Sequence, residues 1–313
     1  VSAPPAFEDV RAAAARIAPH VHRTPVCTSA TLDARLDARV FFKCENLQKV
    51  GAFKARGAVN AVLALDDAAA ARGVITHSSG NHAAALAYAA RIRGIPCTVV
   101  MPEDAPGIKV AAVRGYGAEI VFCRRAERES TCERLVAERG PALIHPYDDP
   151  RIVAGQGTAA LELLQQVERL DVVIAPVGGG GLMSGTAIAV TGLSPATAAW
   201  AAEPLAADDA CRSLATAVRQ PGVKDPRTVA DGLLTGLGEI AFRVLRERGV
   251  RVVTVTEEAI IEACRFIVER MKLVVEPSAA TVLAALHATA GDVRGKRVGA
   301  ILSGGNTDFS WLR

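Results

Sequence analysis

No C-x-x-C pair occurs in this sequence, and its seven cysteines, Cys27, Cys44, Cys97, Cys123, Cys132, Cys211 and Cys264, are scattered and odd in number. A disulfide framework and a zinc knuckle are therefore excluded, and a reducing cytoplasm is the expected compartment. No stretch reaches the ~18 uninterrupted apolar residues that a membrane helix requires. The first residues carry Glu8 and Asp9, with no apolar run of signal-peptide length. Neither sign of charge dominates: 36 Lys and Arg face 33 Asp and Glu, a net charge of +3 spread along the chain. This leaves no basic track for nucleic acid and no patch for an anionic membrane, so small molecules are the expected partners. Internal repeats and low-complexity tracts are also missing. So are the common nucleotide motifs: the glycines of 177–185 put Met183 or Ser184 where G-x-G-x-x-G needs its last glycine, and no G-x-x-x-x-G-K-[ST] occurs. His77 and His82, five apart, are poorly spaced to share a metal on one helix face.

What is present is core. Half of the 313 residues are hydrophobic, enough for two lobes or one large α/β domain. FEDVRAAAARIAP (7–19) has helical spacing and a terminal proline, and RVFFKCE (39–45) reads as a strand. From Gly73, short strands (VITHSS, PCTVVMP, AEIVFC, ALIHP) alternate with helices, as in parallel βαβ units. The alternation resumes after HPYDDP with longer units that end in the strand KRVGAILSG. The first strand precedes this small set and the others follow it. The expected fold class is therefore α/β with two lobes, open twisted parallel sheets flanked by helices. A large domain of residues 1–67 and 148–313 is interrupted by a small one, 68–147, that closes over a substrate.

Several turns fall at the carboxyl ends of these strands, where ligands gather in open parallel sheets. VGGGGLMSG (177–185) joins a strand to a helix; glycine backbone N–H groups and the positive helix end suit a phosphate. THSSGNH (76–82) brings Ser78, Ser79, Gly80, Asn81 and His82 to a helix start, as a carboxylate cradle or as an ordinary cap. SGGN (303–306) ends the last strand. In ENLQKVGAFKARGA (45–58), Lys54 stands between Gly51 and Gly57, although a lysine alone is most often a solvated one. Glu203 and Asp209, just past a strand, offer carboxylates for a hard divalent cation or simply a solvated acidic loop.

The ordered set GAFKARGA, SSGNH, AGQGT (154–158), VGGGG, AAEP followed by ADD, ADG (230–232), ERMKLVVEP (269–277) and LSGGN resembles the pyridoxal-phosphate enzymes of the tryptophan-synthase-β fold, fold type II. Within them the chain is similar to serine/threonine dehydratases and serine racemases. The resemblance ends at SGGN, so the C-terminal regulatory domain of biosynthetic threonine deaminases is expected to be absent. It implies the cofactor pyridoxal 5'-phosphate, with Lys54 as its covalent anchor and the base at Cα. Phe53 and Gly232 would flank the ring, Asn81 would meet its phenolic oxygen, and Ser303 its nitrogen. Gly178, Gly179, Gly180 and Gly181 would hold the phosphate. Ser78, Ser79, Gly80, Asn81 and His82 would bind substrate, and Ser79 would face Cα opposite the lysine. Glu203, the carbonyl of Ala207 and Asp209 match the family's divalent-cation site, for Mg²⁺ or Mn²⁺.

Two departures tilt the expectation from racemase to dehydratase. The arginine with which racemases bind substrate aligns with Ser130, although Arg128 is close by, and Tyr147 stands where racemases tend to carry asparagine. The implied protein is a homodimeric ammonia-lyase acting on L-threonine or L-serine. A serine racemase, a 3-hydroxyaspartate or phenylserine dehydratase and, remotely, a non-catalytic cofactor-binding protein are the alternatives.

Overall fold

The computed structural model describes every residue except Val1, Ser79, Pro106 and Arg313, together with the side chain of Ile108. Its ten strands are β1 (Val26–Cys27), β2 (Arg39–Cys44), β3 (Val74–His77), β4 (Cys97–Pro102), β5 (Glu119–Cys123), β6 (Ala142–Leu143), β7 (Val172–Pro176), β8 (Ala198–Pro204), β9 (Arg251–Val255) and β10 (Arg297–Leu302). They form a six-stranded sheet in the order β1-β2-β10-β7-β8-β9 and a four-stranded sheet in the order β5-β4-β3-β6. All pairings are parallel except β1 with β2. The six-stranded sheet draws on both ends of the sequence, and the smaller sheet lies wholly between Val74 and Leu143.

The pleat explains why these strands read as continuous apolar runs. Along β7, Val172 and Ile174 enter one core with Phe42, Trp200 and Leu283, while Val173 and Ala175 enter the opposite one with Leu163, Met183 and Ile301. Both faces are covered by helices, so both must be apolar. The small sheet repeats the pattern, with Val99 and Met101 packed against Leu86 on one face and Ile75 and Val100 against Leu135 on the other.

The helix Pro150–Gln166 starts with Asp149 as its cap, accepting from Arg151 N–H at 2.8 Å, and has proline at its first position. Its AGQGT segment is a packing device. A Cβ on Gly155 would lie 2.7 Å from the carbonyl of Arg56, and one on Gly157 would lie 2.7 Å from that of Gly185. Only bare backbone lets this helix touch the helices Lys54–Leu63 and Gly181–Leu193 at once.

An ionic cluster underlies the same junction. Arg56, fully buried, binds Glu45 through Nε (2.7 Å) and Nη2 (2.8 Å) and Glu162 through Nη1 (2.7 Å) and Nη2 (2.9 Å). Lys43, also fully buried, adds a 2.6 Å contact to Glu162 and 2.8 Å contacts to the Thr24 carbonyl and Gln166. Two cations thus meet two anions, and their donors are hydrogen-bonded, which is what makes buried charge tolerable.

Departures from the sequence reading are confined to short or strongly amphipathic pieces. The two-residue β1, too short to carry a strand signal, holds its place through its pairing with β2. The segment EEAIIEACRFIVERM is α-helical over Glu257–Phe266 and widens to a π turn over Ile267–Met271. The helices Asp209–Thr216 and Glu239–Glu247 had no counterpart in that reading.

Candidate active site

Several connections bring their residues to one cavity of about 510 Å³ at the carboxyl ends of β3, β7 and β10. Phe53, Lys54, Ser78, Gly80, Asn81 and His82 all line it. So do 178–181, Gly232 and Ser303. Ser79, expected to face Cα, lies outside the described residues.

The Lys54 segment is tied to the end of β10. Phe53 N–H donates to the Ser303 carbonyl at 2.9 Å, and Ala52 bridges to Gly304. Lys54 begins its helix and donates from Nζ to the Pro146 carbonyl at 2.8 Å. No carboxylate pairs with it at salt-bridge distance among the described residues. Burial pushes the amine down to about 8, and the negative charge of Glu276 opposes that fall. A lysine that is readily neutral near physiological pH is a nucleophile, not a surface charge.

The glycine turn is shaped from behind. A Cβ on Gly178 would meet Leu233 Cα at 2.9 Å, and one on Gly179 would meet the Tyr147 ring at 2.3 Å. Gly180 takes φ +86, which L side chains rarely adopt. The helix Gly181–Leu193 follows at once, so its first N–H groups have no intrahelical acceptor. Gly179 N–H is already engaged by Thr235 Oγ1 at 3.0 Å, so the anion donors are its neighbours.

In the SSGN segment, Ser78 Oγ accepts from Gly80 N–H at 3.2 Å, a turn contact. Asn81 opens the helix Asn81–Arg93 and sends Nδ2 to both oxygens of Glu276, at 2.9 and 3.1 Å. His82 contacts the Ile144 carbonyl through Nε2 at 3.1 Å; a carbonyl only accepts, so Nε2 carries the proton. Burial first, then the Lys54 charge, holds its pKa down at about 3, so the ring is neutral.

Glu203, Ala207 and Asp209 lie apart from the cavity lining. Glu203 accepts from the N–H groups of Ala210 (2.8 Å) and Cys211 (2.9 Å), and Asp209 accepts from Leu237 N–H at 2.7 Å. Burial drives Glu203 up to about 8 and raises Asp209 as well, each with a smaller push from neighbouring acids. No group of three or more His, Cys, Asp or Glu side chains arranged for a metal occurs among the described residues.

The cavity is also lined by Glu276 and Arg128. Glu276, almost fully buried, lies in the ERMKLVVEP segment, which gave it no individual role. Arg128 lines the cavity, whereas Ser130 is exposed and turns its hydroxyl back to the Glu127 carbonyl. The helix Arg128–Arg139 starts at that arginine, and its first two residues, Arg128 and Glu129, reach the cavity while its third, Ser130, does not.

The donor set fits pyridoxal phosphate. It combines an amine that sheds its proton near neutrality, a glycine turn whose packing excludes any Cβ, a helix N-terminus and a hydroxyl at the end of β10. Comparison with known proteins agrees. Residues 17–304 match the pyridoxal-phosphate dependent enzyme family. Serine racemase of Dictyostelium discoideum is 48% identical over 97% of this chain and 95% of its own length. The β-hydroxyaspartate dehydratase of Paracoccus denitrificans is 48% identical over 98% of each chain. The crystal structure of a T.th. threonine deaminase superposes with a TM-score of 0.92 at 48% identity, covering 98% of this chain and 100% of that one. On these grounds the chain belongs to the family of pyridoxal-phosphate dependent enzymes, in the fold type II branch that its two parallel sheets share with threonine deaminase.

Proposed function

We propose that this enzyme converts a small β-hydroxy amino acid, L-threonine or L-serine, to a 2-oxo acid and ammonia by α,β-elimination. The observation that carries this reading is the buried Lys54 amine, held near pKa 8 in the cavity it shares with the glycine turn and Ser303. Lys54 would anchor the cofactor, with Phe53 and Gly232 on either side of it, the glycine turn 178–181 around its phosphate, and Ser303 and Asn81 on its polar edges. When bound, the cofactor supplies an electron sink for charge that develops at Cα. Lys54 Nζ would take the Cα proton as a base already poised near neutrality. Ser78, Ser79, Gly80 and the start of the helix Asn81–Arg93 would hold the substrate carboxylate. His82, neutral and donating to the Ile144 carbonyl, fixes that helix start and does not serve as an acid. The residues 68–147 would close over the substrate, exclude water and orient the Cα–H bond. Loss of the β-hydroxyl, followed by uptake of water, leaves one 2-oxo acid and one ammonium ion per amino acid.

A second reading, 3-hydroxyaspartate as substrate, is favoured by Arg128. Its neighbour Arg125 is engaged by Asp104 at 2.8 Å, whereas Arg128 has no ion-pair partner among the described residues and only donates to the Arg125 carbonyl at 3.2 Å. Both arginines line the cavity. A coupled 2-oxo acid assay across threonine, serine, 3-hydroxyaspartate and phenylserine tests both readings, with chiral analysis of the serine. Arg128→Met should lower kcat/KM for 3-hydroxyaspartate about 100-fold more than for serine, the scale of an unpaired desolvated charge. Equal losses on the two substrates would remove the second reading. Rapid D-serine accumulation with little pyruvate would replace both readings with racemisation, in which Ser79 would serve the face opposite Lys54.

A divalent cation, Mg²⁺ or Mn²⁺, would be held by Glu203, the Ala207 carbonyl and Asp209. Oxygen donors suit a hard ion, and a cation would offset the burial that raises both acids. Saturating metal is expected to stabilise the protein by about 2–3 kcal/mol. A chelator should therefore lower Tm, and Glu203→Ala should abolish the response; a chelator-insensitive Tm counts against the site. We place the enzyme in the cytoplasm, where its seven thiols, all free, stay reduced. No helix of the described residues is long and apolar enough to cross a membrane. A homodimer is part of this reading, and sedimentation measures it.

A further inference from the structure

Glu276 does not serve its own helix. It occupies the cap position of Pro277–Ala288, yet its carboxylate makes no capping bond there. It turns instead into the cavity and takes Asn81 Nδ2 on both oxygens, at 2.9 and 3.1 Å. The backbone leaves room for this: a Cβ on Gly304 would lie 2.5 Å from Glu276 Oε1. Burial pushes the carboxyl up to about 7, a destabilising placement that calls for a function.

That function is to set a direction. Asn306 Nδ2 donates to the Val50 carbonyl at 2.8 Å, and a carbonyl can only accept, so the orientation of the Asn306 amide is fixed. The same nitrogen donates to Asn81 Oδ1 at 2.9 Å, which leaves Asn81 with its nitrogen toward Glu276. The chain is thus polarised between two acceptors, a backbone carbonyl and a carboxylate. Asn81 starts the helix that follows β3 of the small sheet, while Glu276 and Asn306 belong to segments flanking β10 of the large one.

We propose that Glu276 is a positioning residue of this site: it fixes the Asn81 amide, nitrogen toward the large sheet, and through it the helix start that receives cofactor and substrate. This rests on the functional reading above, in which Asn81 meets the cofactor. A carboxylate is required because a glutamine presents one acceptor and one donor, and its donor would face the Asn81 nitrogen.

The test is a double-mutant cycle read as cofactor affinity, by titrating cofactor-free protein with pyridoxal phosphate and following its absorbance. Asn81→Ala and Glu276→Gln should each weaken binding about tenfold, and the double variant should be no weaker than Asn81→Ala alone. Losses that multiply to about a hundredfold would mean that Glu276 acts independently of Asn81, and would overturn the proposal. Should Glu276→Gln fold poorly by its Tm, Asn306→Ala probes the other end of the chain. It should also weaken binding, and again not in combination with Asn81→Ala; unchanged affinity overturns the polarised chain. A wild-type protein that takes up no pyridoxal phosphate would instead defeat the functional reading itself.

Discussion

Lys54→Ala is expected to lower turnover by about four orders of magnitude or more, since it removes anchor and base together. It should also remove the visible absorbance of the enzyme-bound cofactor. The sharper form of the prediction concerns pH. Only the neutral amine attacks a carbonyl, and an ordinary lysine, at 10.5, is almost wholly protonated at neutral pH. Burial lowers this one to about 8, more than the Glu276 charge restores. The rate at which cofactor-free protein attaches pyridoxal phosphate should therefore rise with pH and level off just above 8. A rise that continues to 10.5, or turnover that survives in the alanine variant, would refute the assignment.

Arg56→Met should cost about 3–5 kcal/mol in urea denaturation, the penalty for breaking a buried ion pair. The substitution conserves bulk but leaves Glu45 and Glu162 facing each other with only Lys43 between them. Arg56→Lys should recover little, because one ammonium cannot span two carboxylates as the guanidinium does. The lost stability should bring lost cofactor affinity, since Arg56 lies on the first turn of the helix that begins with Lys54. A Met variant as stable as the parent would show that the cluster is replaceable by apolar packing, as some buried ion pairs are.

The parts of this enzyme that could be read in its sequence are those with a local signature. VVIAP is buried on both faces and reads as an apolar run; VGGGG must lack side chains and does. Lys54 became legible only through the turns around it. What stayed hidden depends on partners far away in the chain. Glu276 looks like a cap until Asn81 is found beside it, 195 residues distant. Arg128 and Ser130 are told apart by which side of a helix faces the cavity, and a helix with few apolar residues to mark its buried face does not specify that. The helix Glu239–Glu247 is amphipathic enough to have been found, with Ile240, Ala241, Val244 and Leu245 buried along one stripe. Residues 233–250, in which it lies, simply offered no motif to draw attention.

The pairing of β2 with β10 sets the order in which this protein can be made. Lys43 lies opposite Ile301 and Cys44 opposite Leu302, so the strand leading to Lys54 gains its parallel neighbour only after Leu302 has left the ribosome. Every intervening segment, including the small sheet, must wait beside an open edge of the large one. Long-range parallel pairing of this kind is slow to close and leaves strands exposed meanwhile. The lysine and the hydroxyl at Ser303 are thus brought together by the last of the ten strands to be synthesised. A nascent chain stopped before Arg297 should fold its small sheet yet take up no cofactor, so cofactor uptake marks the closing of the large sheet.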